Sequence, residues 1–405
     1  MDVNRLADEC EAYVIEQRRW FHQYPEVAWE EVQTTIAIEE RLRDIGLEPA
    51  RFEDISGVYC EIRGGKRGPG SKTLLLRADI DGVILREETG LPFASVNRGL
   101  MHATGRDCHI AMMLGAARIL YRLRDELEGD VRLLFQGAEE SAQGALEYIR
   151  RGIMDGVDAV YASHVYGGLE AFQTDVTPGH RMASADKFSI EIFGRSAYGS
   201  LPHLGKDAIV AAAGVIFDVQ SYVSRNSNPL YPLAVTIGTI QGGTQRNIIA
   251  GHVRMEGTVR THSAEIREKI EGELRNIIEH SAAAHGCGAR LEYHYMLPPL
   301  VNDKALSRIA ARAAERLRPA GDVLTGMPPV MSSEDFACYG GHAPCVYVNL
   351  GCTNRQLGYV ENNYSSKFTV DEGVLRYGTA LCVQFTVDYL KEMRGIHGQE
   401  TELLQ

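Results

Sequence analysis

The chain has 405 residues, of which 44% are hydrophobic and 24% charged, and its 42 basic and 54 acidic residues give a formal charge of −12. This length predicts two or three domains, and the composition excludes a disordered chain. The acidic balance, without any run of five basic residues, argues against nucleic acid as a partner.

The cysteines and the N-terminal segment indicate the compartment. Eight cysteines are scattered along the chain without a Cys-x-x-Cys pair, which favours reduced thiols over a disulfide framework. The first segment is charged and amphipathic, unlike a signal peptide, and no uninterrupted apolar stretch reaches the length of about 18 residues that a membrane span needs. We therefore expect a cytoplasmic protein that has no membrane partner.

The first 181 residues alternate between helical and strand patterns. Apolar side chains recur at helical spacing in residues 5–23, and a second helix is predicted for residues 30–42. Three buried strands are predicted from the segments KTLLLRADID, VRLLFQGAEE and DAVYASHV. With the intervening helices, they predict an α/β sheet whose functional groups lie at the strand ends.

The pattern changes near residue 182. Strands of alternating polarity and two amphipathic helices follow in the order strand, helix, strand, strand, helix, strand, which is typical of a ferredoxin-like unit. Residues after 296 return to mixed helix and buried strand. We therefore predict an α/β domain formed by residues 1–181 and 297–405, with an α+β domain inserted at residues 182–296.

Polar side chains are concentrated where the predicted strands end and in glycine-containing turns. A single histidine after a strand is more often structural, and adjacent glutamates usually lie in a solvated turn. Successive buried strands that all end in carboxylate or imidazole instead indicate a functional site. The residues concerned are Asp79, Asp81, His102, Thr104, Arg106, Asp107, His109, Glu139, Glu140, His164 and the segment 331–336.

Six motifs carry a family resemblance that covers nearly the whole chain. They are HQYPEVAWEE, RADIDG, FQGAEES, GGTQRNIIAG, EGTVRT and SSEDF. In this order they resemble the metallo-aminohydrolases that include aminoacylase, hippurate hydrolase, indole-acetyl-amino-acid hydrolases and carboxypeptidase G. The resemblance implies a zinc-peptidase-like catalytic domain whose insert is a lid and dimerisation domain, and therefore a homodimer or a higher homo-oligomer.

The family chemistry uses two divalent metals with a bridging water, whose proton is taken by a glutamate. The resemblance implies that Glu139 is this general base and that Glu140 and His164 are metal ligands. Two further ligand positions, a cysteine and its histidine partner, fall on Thr104 and Arg106. Because a guanidinium cannot ligate a metal, we do not expect a conventional two-metal site.

A smaller metal site is one consistent interpretation. The C-terminal ligand histidine of the family falls on Tyr364, so a third ligand is also replaced. The retained Glu140 and His164, together with Asp107 and His102, would hold one labile divalent ion such as Mn, Co, Fe or Zn. The histidine at position 109 is close enough in sequence to contribute.

Further residues are implied to contact a small carboxylate substrate. Asn247 and Arg260 match lid residues that hold the substrate carboxylate in relatives, although a turn residue and a surface strand residue would look the same. Arg106 would add a second anion contact. Tyr198 stands where relatives carry a lid histidine that reaches the partner's active site, and His203 matches a histidine of less defined role.

Two classes of function remain open. In the first, the chain is a metal-dependent hydrolase of a C–N bond in a small carboxylate, and the retained Glu139 favours this class. Its preferred substrate is an aromatic amine such as 5-nitroanthranilate, with Tyr198 and Tyr364 lining the planar ring; an N-acyl amino acid is the alternative. In the second, the chain is a metal-free, catalytically inactive binding relative.

Overall fold

The computed structural model describes residues 2–318 and 322–402, with side chains described up to residue 394. Contacts divide the chain into two compact units. The first unit comprises Met1–Gly179, Val301–Pro328 and Cys338–Gln405, and the second comprises His180–Leu300 and Pro329–Ala337. The second unit thus includes residues 329–337, which lie outside the insert predicted at residues 182–296.

The segment up to residue 179 contributes four helices and seven strands. The helices are α1 (Val3–Gln23), α2 (Val32–Ile45), α3 (Arg106–Arg122) and α4 (Gly144–Arg150). The strands are β1 (Gly57–Ile62), β2 (Thr73–Asp79), β3 (Val83–Ile84), β4 (Leu100–Met101), β5 (Asp130–Gln136), β6 (Ala159–Glu170) and β7 (Thr174–Asp175).

The remaining elements follow in chain order. Those up to residue 297 are β8 (Gly179–Met182), β9 (Ala185–Phe193), α5 (Ala208–Arg225), β10 (Leu233–Gly242), β11 (His252–Thr261), α6 (Ala264–Ala284) and β12 (Gly288–Leu297). The last are β13 (Leu300–Asn302), α7 (Lys304–Leu317), β14 (Val323–Leu324), β15 (Cys345–Thr353) and α8 (Gly373–Glu402). None of the helices in the described part of the chain is long and apolar enough to cross a membrane.

A seven-stranded mixed sheet forms the centre of the first unit, in the order β1-β5-β2-β6-β15-β7-β14. Strand β2 runs parallel to both β5 and β6, and β6 runs parallel to β15, whereas β1 is antiparallel to β5. Helix α3 packs against α1, α8 and β2. The predicted α/β class is confirmed, and the parallel centre brings the carboxyl ends of β2 and β5 to one edge.

Strand β6 is longer than the sequence predicts. The expected strand ends at His164, but β6 continues to Glu170 because its pairing with β15 continues beyond that histidine. His164 lies opposite Asn349 in this register. The imidazole therefore projects from the interior of a strand, which corrects its predicted place at a strand end.

The second unit has the predicted order of elements, from β9 through α5, β10, β11 and α6 to β12. Its four strands form an antiparallel sheet in the order β10-β11-β9-β12. Numbered within the unit, this order is second, third, first, fourth, which is that of a ferredoxin-like fold. Helices α5 and α6 pack on the sheet through a separate apolar core that includes Ile190, Val215, Met255 and Leu274.

Helix α3 begins directly after a turn that only glycine fits well. Gly105 has a φ of +85°, and a Cβ at this position would lie 2.2 Å from Cγ2 of Val165 on β6. The left-handed conformation is readily adopted by glycine. The close approach to β6 fixes where the first residue of the helix, Arg106, enters the site.

We expect Gly105→Ala to lower the free energy of unfolding by a few kcal/mol more than Gly99→Ala. Gly99 shares the φ of +85°, but a Cβ there would meet nothing within 4 Å. The control therefore carries the same backbone strain, roughly 1–2 kcal/mol, without the overpacking, which typically costs about 1–3 kcal/mol. Denaturant unfolding of both variants measures the difference, and equal losses would contradict this account of the turn.

Candidate functional site

Four carboxylates meet at the ends of β2 and β5. Asp79 is the last residue of β2, and Asp81 follows it two residues later. The turn after β5 presents Glu139 and Glu140, whose backbone N–H groups donate to the two carboxylate oxygens of Asp81 at 3.2 and 2.9 Å. Ala138 enters this turn with a φ of +61°, an uncommon conformation for a residue with a side chain. The turn that presents the two glutamates is thus held by Asp81.

The guanidinium of Arg106 lies among these four carboxylates. Its Nε donates to Asp79 Oδ2 at 2.7 Å, and its Nη1 lies 3.5 Å from Asp81 Oδ2. Its Nη2 contacts Glu139 Oε2 and lies 2.8 Å from Glu140 Oε1. Arg106 is only 1% exposed, so each of its three nitrogens is engaged with a carboxylate inside the protein.

Burial and charge oppose each other in this cluster. Burial disfavours the charge on Arg106, but the surrounding carboxylates outweigh it and hold its pKa well above the ordinary value. Burial also disfavours ionised Asp79, yet Arg77, His109 and Arg106 hold the pKa of Asp79 well below its usual range. The pKa of Asp81 is raised, chiefly by burial and then by neighbouring negative charge. Arg106 therefore stays charged beside an ionised Asp79.

Two histidines lie beside Asp79. The ring centroids of His109 and His164 are 4.1 Å apart. His109 places Nδ1 2.8 Å from Asp79 Oδ1 and accepts the Val165 N–H on Nε2 at 3.0 Å, so both of its nitrogens are engaged. His164 places Nδ1 2.8 Å from the Val165 carbonyl oxygen. Burial, followed by the proximity of His109, holds the pKa of His164 well below its ordinary value, so this imidazole is neutral.

Asp107 belongs to a second buried network. Its Oδ2 accepts from Nε of Arg18 at 2.9 Å and lies 2.8 Å from Nδ1 of His22, whose Nε2 lies 3.1 Å from Glu87. Burial opposes the ionisation of Asp107, but Arg18 and His22 outweigh it and lower its pKa. Oδ1 of Asp107 and both ring nitrogens of His102 have no hydrogen-bond partner among the described residues. Burial lowers the pKa of His102 to about 4.

The four predicted metal ligands do not gather in one place. Among the described residues of the first unit, Asp79, His109 and His164 form a group of three whose potential ligand atoms all lie within 4.8 Å of one another. No such group in the described part of the chain contains two of the predicted ligands Glu140, His164, Asp107 and His102. Binding one ion through all four would therefore require side chains to move.

The loop before α8 completes the site. Asn363 donates to the backbone oxygens of Thr104 and Val165, and Tyr364 donates its backbone N–H to Ala103 at 2.8 Å. The Tyr364 hydroxyl donates to Glu140 Oε1 at 2.7 Å. Burial and nearby carboxylates raise the pKa of this phenol. Tyr364 is therefore a hydrogen-bond donor to the same glutamate that Arg106 contacts.

Three of the predicted substrate residues are exposed in the second unit, with Tyr198 and Asn247 on loops and His203 in a short 3-10 helix, Pro202–Leu204. The backbone N–H of Gly199 donates to the Asn247 carbonyl at 2.8 Å, so Tyr198 and Asn247 belong to adjacent segments. Tyr198 is 58% exposed, and Asn247 and His203 are exposed as well. These loops hold Tyr198 and Asn247 close together through backbone contacts.

Arg260, the fourth predicted substrate residue of the insert, is half-buried on β11. Its Nη1 donates to Oγ of Ser333 at 3.1 Å and to the carbonyl oxygen of Met331 at 3.4 Å. The polar segment 331–336 singled out in the sequence therefore packs beside Arg260 within the second unit.

Several buried charged residues receive no role from the sequence pattern. Asp79 and Asp81 could be found as carboxylates at a strand end, but the sequence does not show that Arg106 is their common partner. Arg18 and His22 are four residues apart, which places them on one face of α1. Nothing local indicates that Asp107, 85 residues or more along the chain, is their shared partner.

Comparison with known proteins places this geometry in context. Residues 75–386 match the model of the peptidase family M20/M25/M40. A Bacillus subtilis protein named N-acetyl-L-cysteine deacetylase is 38% identical over 362 residues, which are 89% of this chain and 84% of that protein. An N-acyl-L-amino acid amidohydrolase from Geobacillus stearothermophilus is 37% identical over 303 residues, or 74% of this chain and 81% of that protein.

A solved structure agrees over the whole fold. The Bacillus subtilis YxeP protein, described as a dinuclear metal-binding peptidase of the M20 family, superposes with a TM-score of 0.83 at 32% identity. The match covers 95% of this chain and 99% of that chain. The zinc-peptidase-like catalytic fold expected from the motifs is therefore confirmed.

The matched family is one of divalent-metal-dependent peptidases. The question is therefore whether the four carboxylates around Arg106 could bind two divalent ions. Carboxylate oxygens bind such ions at about 2.0–2.2 Å. Here the oxygens of Asp79, Glu139 and Glu140 contact the guanidinium of Arg106, and Glu140 also accepts from Tyr364. The residues present therefore do not fit a pair of ions at this cluster.

The turn that carries Glu139 is expected to respond to pH through Glu31. This glutamate accepts from the Ala138 N–H at 2.7 Å and from the hydroxyl of Ser56. Burial, and then the charge of Asp81, raise its pKa to about 7. Because the folded pKa exceeds the unfolded one, the stabilisation by Glu31 is fully present below about pH 4.5 and is lost as the pH rises through 7.

We therefore expect Glu31→Gln to gain stability relative to the wild type as the pH rises from 5 to 8, by roughly 2–3 kcal/mol. Glutamine keeps an oxygen for the Ala138 N–H and cannot ionise. Urea unfolding of both proteins across this range gives the difference in unfolding free energy. A difference that does not change with pH would contradict the raised pKa of Glu31.

Proposed function

Because the chain belongs to the peptidase family M20/M25/M40 and is a hydrolase of carbon–nitrogen bonds, we propose that it cleaves the amide bond of N-acylated amino acids. The observation that carries this proposal is the 38% identity, over 89% of the chain, to a protein named N-acetyl-L-cysteine deacetylase. The sequence alone favours deamination of an aromatic amine such as 5-nitroanthranilate. The names of the relatives support the amide substrate instead.

Glu139 is the proposed proton carrier. Its carboxylate lies at the end of β5, and its Oε2 is fixed by Arg106. A general base must lie within hydrogen-bond reach of the water that it activates and transfer that proton to the leaving nitrogen. A carboxylate that is already fixed in position lowers the entropic cost of reaching the transition state.

The free carboxylate of the substrate is proposed to be bound from the second unit. Arg260 offers a planar fork of donors suited to a carboxylate, and its Nη1 is steadied by Ser333. Asn247 would add an amide donor. Tyr198, and His203 in the short 3-10 helix that follows, are proposed to contact the acyl group.

The second unit is also proposed to act as a lid and to form a homodimer or larger homo-oligomer. Helix α5 exposes Ile209, Val210 and Phe217, the last of which is 77% exposed. Apolar side chains exposed along one helix are a common feature of protein interfaces. This support is independent of the residues around Arg106.

Two competing accounts make different demands on the cluster. In one, a single Mn, Co, Fe or Zn ion is held by Glu140, His164, Asp107 and His102. In the other, the chain binds its small carboxylate ligand without turning it over. The second account is favoured because the guanidinium of Arg106 contacts the carboxylates of this cluster, which would otherwise be free to bind a catalytic metal.

We expect the purified protein to release free amino acid from N-acetyl-L-cysteine or N-acetyl-L-methionine and no ammonia from 5-nitroanthranilate. Glu139→Gln should keep the fold and lower turnover by about 10²-fold or more, because the amide cannot take a proton from water. Liquid chromatography of the products measures turnover. The matched control is Glu279→Gln, at an exposed position on α6.

The remaining outcomes of this panel are decisive. Ammonia release without amide cleavage would return the aromatic amine as substrate. Binding of these compounds without product would favour the binding relative. Unchanged turnover in Glu139→Gln would remove Glu139 from the mechanism.

A further inference from the structure

We propose that the guanidinium of Arg106 is the resident cation of this centre and replaces the divalent metal ions of the family. The carboxylate cluster of the first unit would then be a metal-independent site. This inference concerns what neutralises the carboxylates and does not depend on which substrate is turned over.

The guanidinium of Arg106 lies where a cation shared by the four carboxylates would have to bind. The three guanidinium nitrogens of Arg106 reach all four carboxylates of the cluster, at distances of 2.7–3.5 Å for Asp79, Asp81 and Glu140 and in closer contact with Glu139. A metal ion bound to the same oxygens would lie in the volume that the guanidinium fills. Because Arg106 is 1% exposed and enters from the first turn of α3, it cannot leave this volume without a change in the packing around it.

The positive charges beside these carboxylates belong to side chains of the protein itself. A guanidinium stays charged throughout the physiological pH range, because its pKa is about 12 or higher, and it is covalently attached to the chain. A second buried arginine, Arg77, lies 3.4 Å from Asp79 and adds positive charge on the other side of that carboxylate. The cluster is therefore neutralised in part by cations that no chelator can remove.

The neighbouring side chains form hydrogen bonds suited to a guanidinium-centred network. Tyr364 donates its hydroxyl to Glu140, the carboxylate that Arg106 also contacts. His109 is bonded on both nitrogens, to Asp79 and to the Val165 N–H. An ion held by Asp79, His109 and His164 would have to break these bonds.

The three replaced positions form one site rather than three separate substitutions. Thr104, Arg106 and Tyr364 stand where the motif resemblance places a cysteine and two histidine ligands. The structure links these positions, because Tyr364 bonds to Ala103, next to Thr104, and to Glu140, next to the guanidinium. The loss of ligands and the gain of a cation therefore occur within one connected set of contacts.

The experiment is equilibrium dialysis of the full chain against Mn²⁺ and, separately, Zn²⁺, with bound metal measured by mass spectrometry. The wild type is expected to retain no stoichiometric ion at the cluster. The variant that restores the family ligands, Thr104→Cys with Arg106→His and Tyr364→His, is expected to bind metal in stoichiometric amount. Circular dichroism confirms that each protein is folded.

Glu140→Gln identifies any ion that the wild type does retain. An ion lost from this variant or from Asp79→Asn is bound at the cluster and would overturn the proposal, whereas an ion that persists in both variants lies elsewhere and leaves the proposal standing. If the triple variant does not fold, Arg106→His alone takes its place, and metal-dependent thermal stabilisation of that variant, absent in the wild type, is the expected result. No stabilisation of either folded variant by metal would also overturn it.

These readouts do not involve turnover. A wild type that binds no metal at the cluster and cleaves no amide would contradict the proposed function and leave the role of Arg106 intact. A wild type that cleaves amides with an ion bound through Glu140 would do the reverse.

Discussion

Four carboxylates converge on the guanidinium of Arg106 at one edge of the first unit's sheet, and the arrangement of the site depends on that cation. Without Arg106, the carboxylates of Asp79, Asp81 and Glu139 would be buried with too little positive charge to balance them. Removing one partner of a buried ion pair typically costs several kcal/mol of stability, because the remaining charge is left uncompensated. The positions of β2, β5 and the start of α3 bring these charges together. The glycine turn before α3 sets where the guanidinium lies.

The supporting contacts surround this centre on several sides. Asp81 holds the turn of Glu139 and Glu140 by accepting hydrogen bonds from their backbone N–H groups. Glu31 holds the same turn by accepting from the N–H of the preceding residue, Ala138. A separate buried network at the next residue of α3 ties Asp107 to Arg18 of α1. These interactions keep the charged groups in fixed positions, as a preorganised site requires.

Much of the fold could be predicted from the sequence, because hydrophobic periodicity and element order depend on local residues. The α/β class and the ferredoxin-like order of the second unit follow from such patterns. The inclusion of residues 329–337 in the second unit could not be foreseen, since it depends on long-range contacts such as the bridge between Met182 and Val330. The extent of β6 beyond His164 likewise depends on pairing with β15, a distant strand.

The candidate site could be predicted only in part. The motifs pointed to Glu139, Glu140, His164 and the replaced ligand at Arg106, because these are positions in a linear pattern. The partners of Arg106 could not be read in the same way, since Asp79 and Glu139 lie 27 and 33 residues away and meet it only through the order of strands in the sheet. Asp107 was predicted as a metal ligand from its position in the motif, but its carboxylate forms an ion pair with Arg18.

The most direct test of the central claim is anomalous diffraction from crystals of the full chain grown with Mn²⁺. We expect continuous density for the guanidinium of Arg106 between Asp79 and Glu139, with no anomalous peak within the cluster. An anomalous peak bound to Glu140 or Asp79, with the Arg106 side chain displaced, would contradict the account.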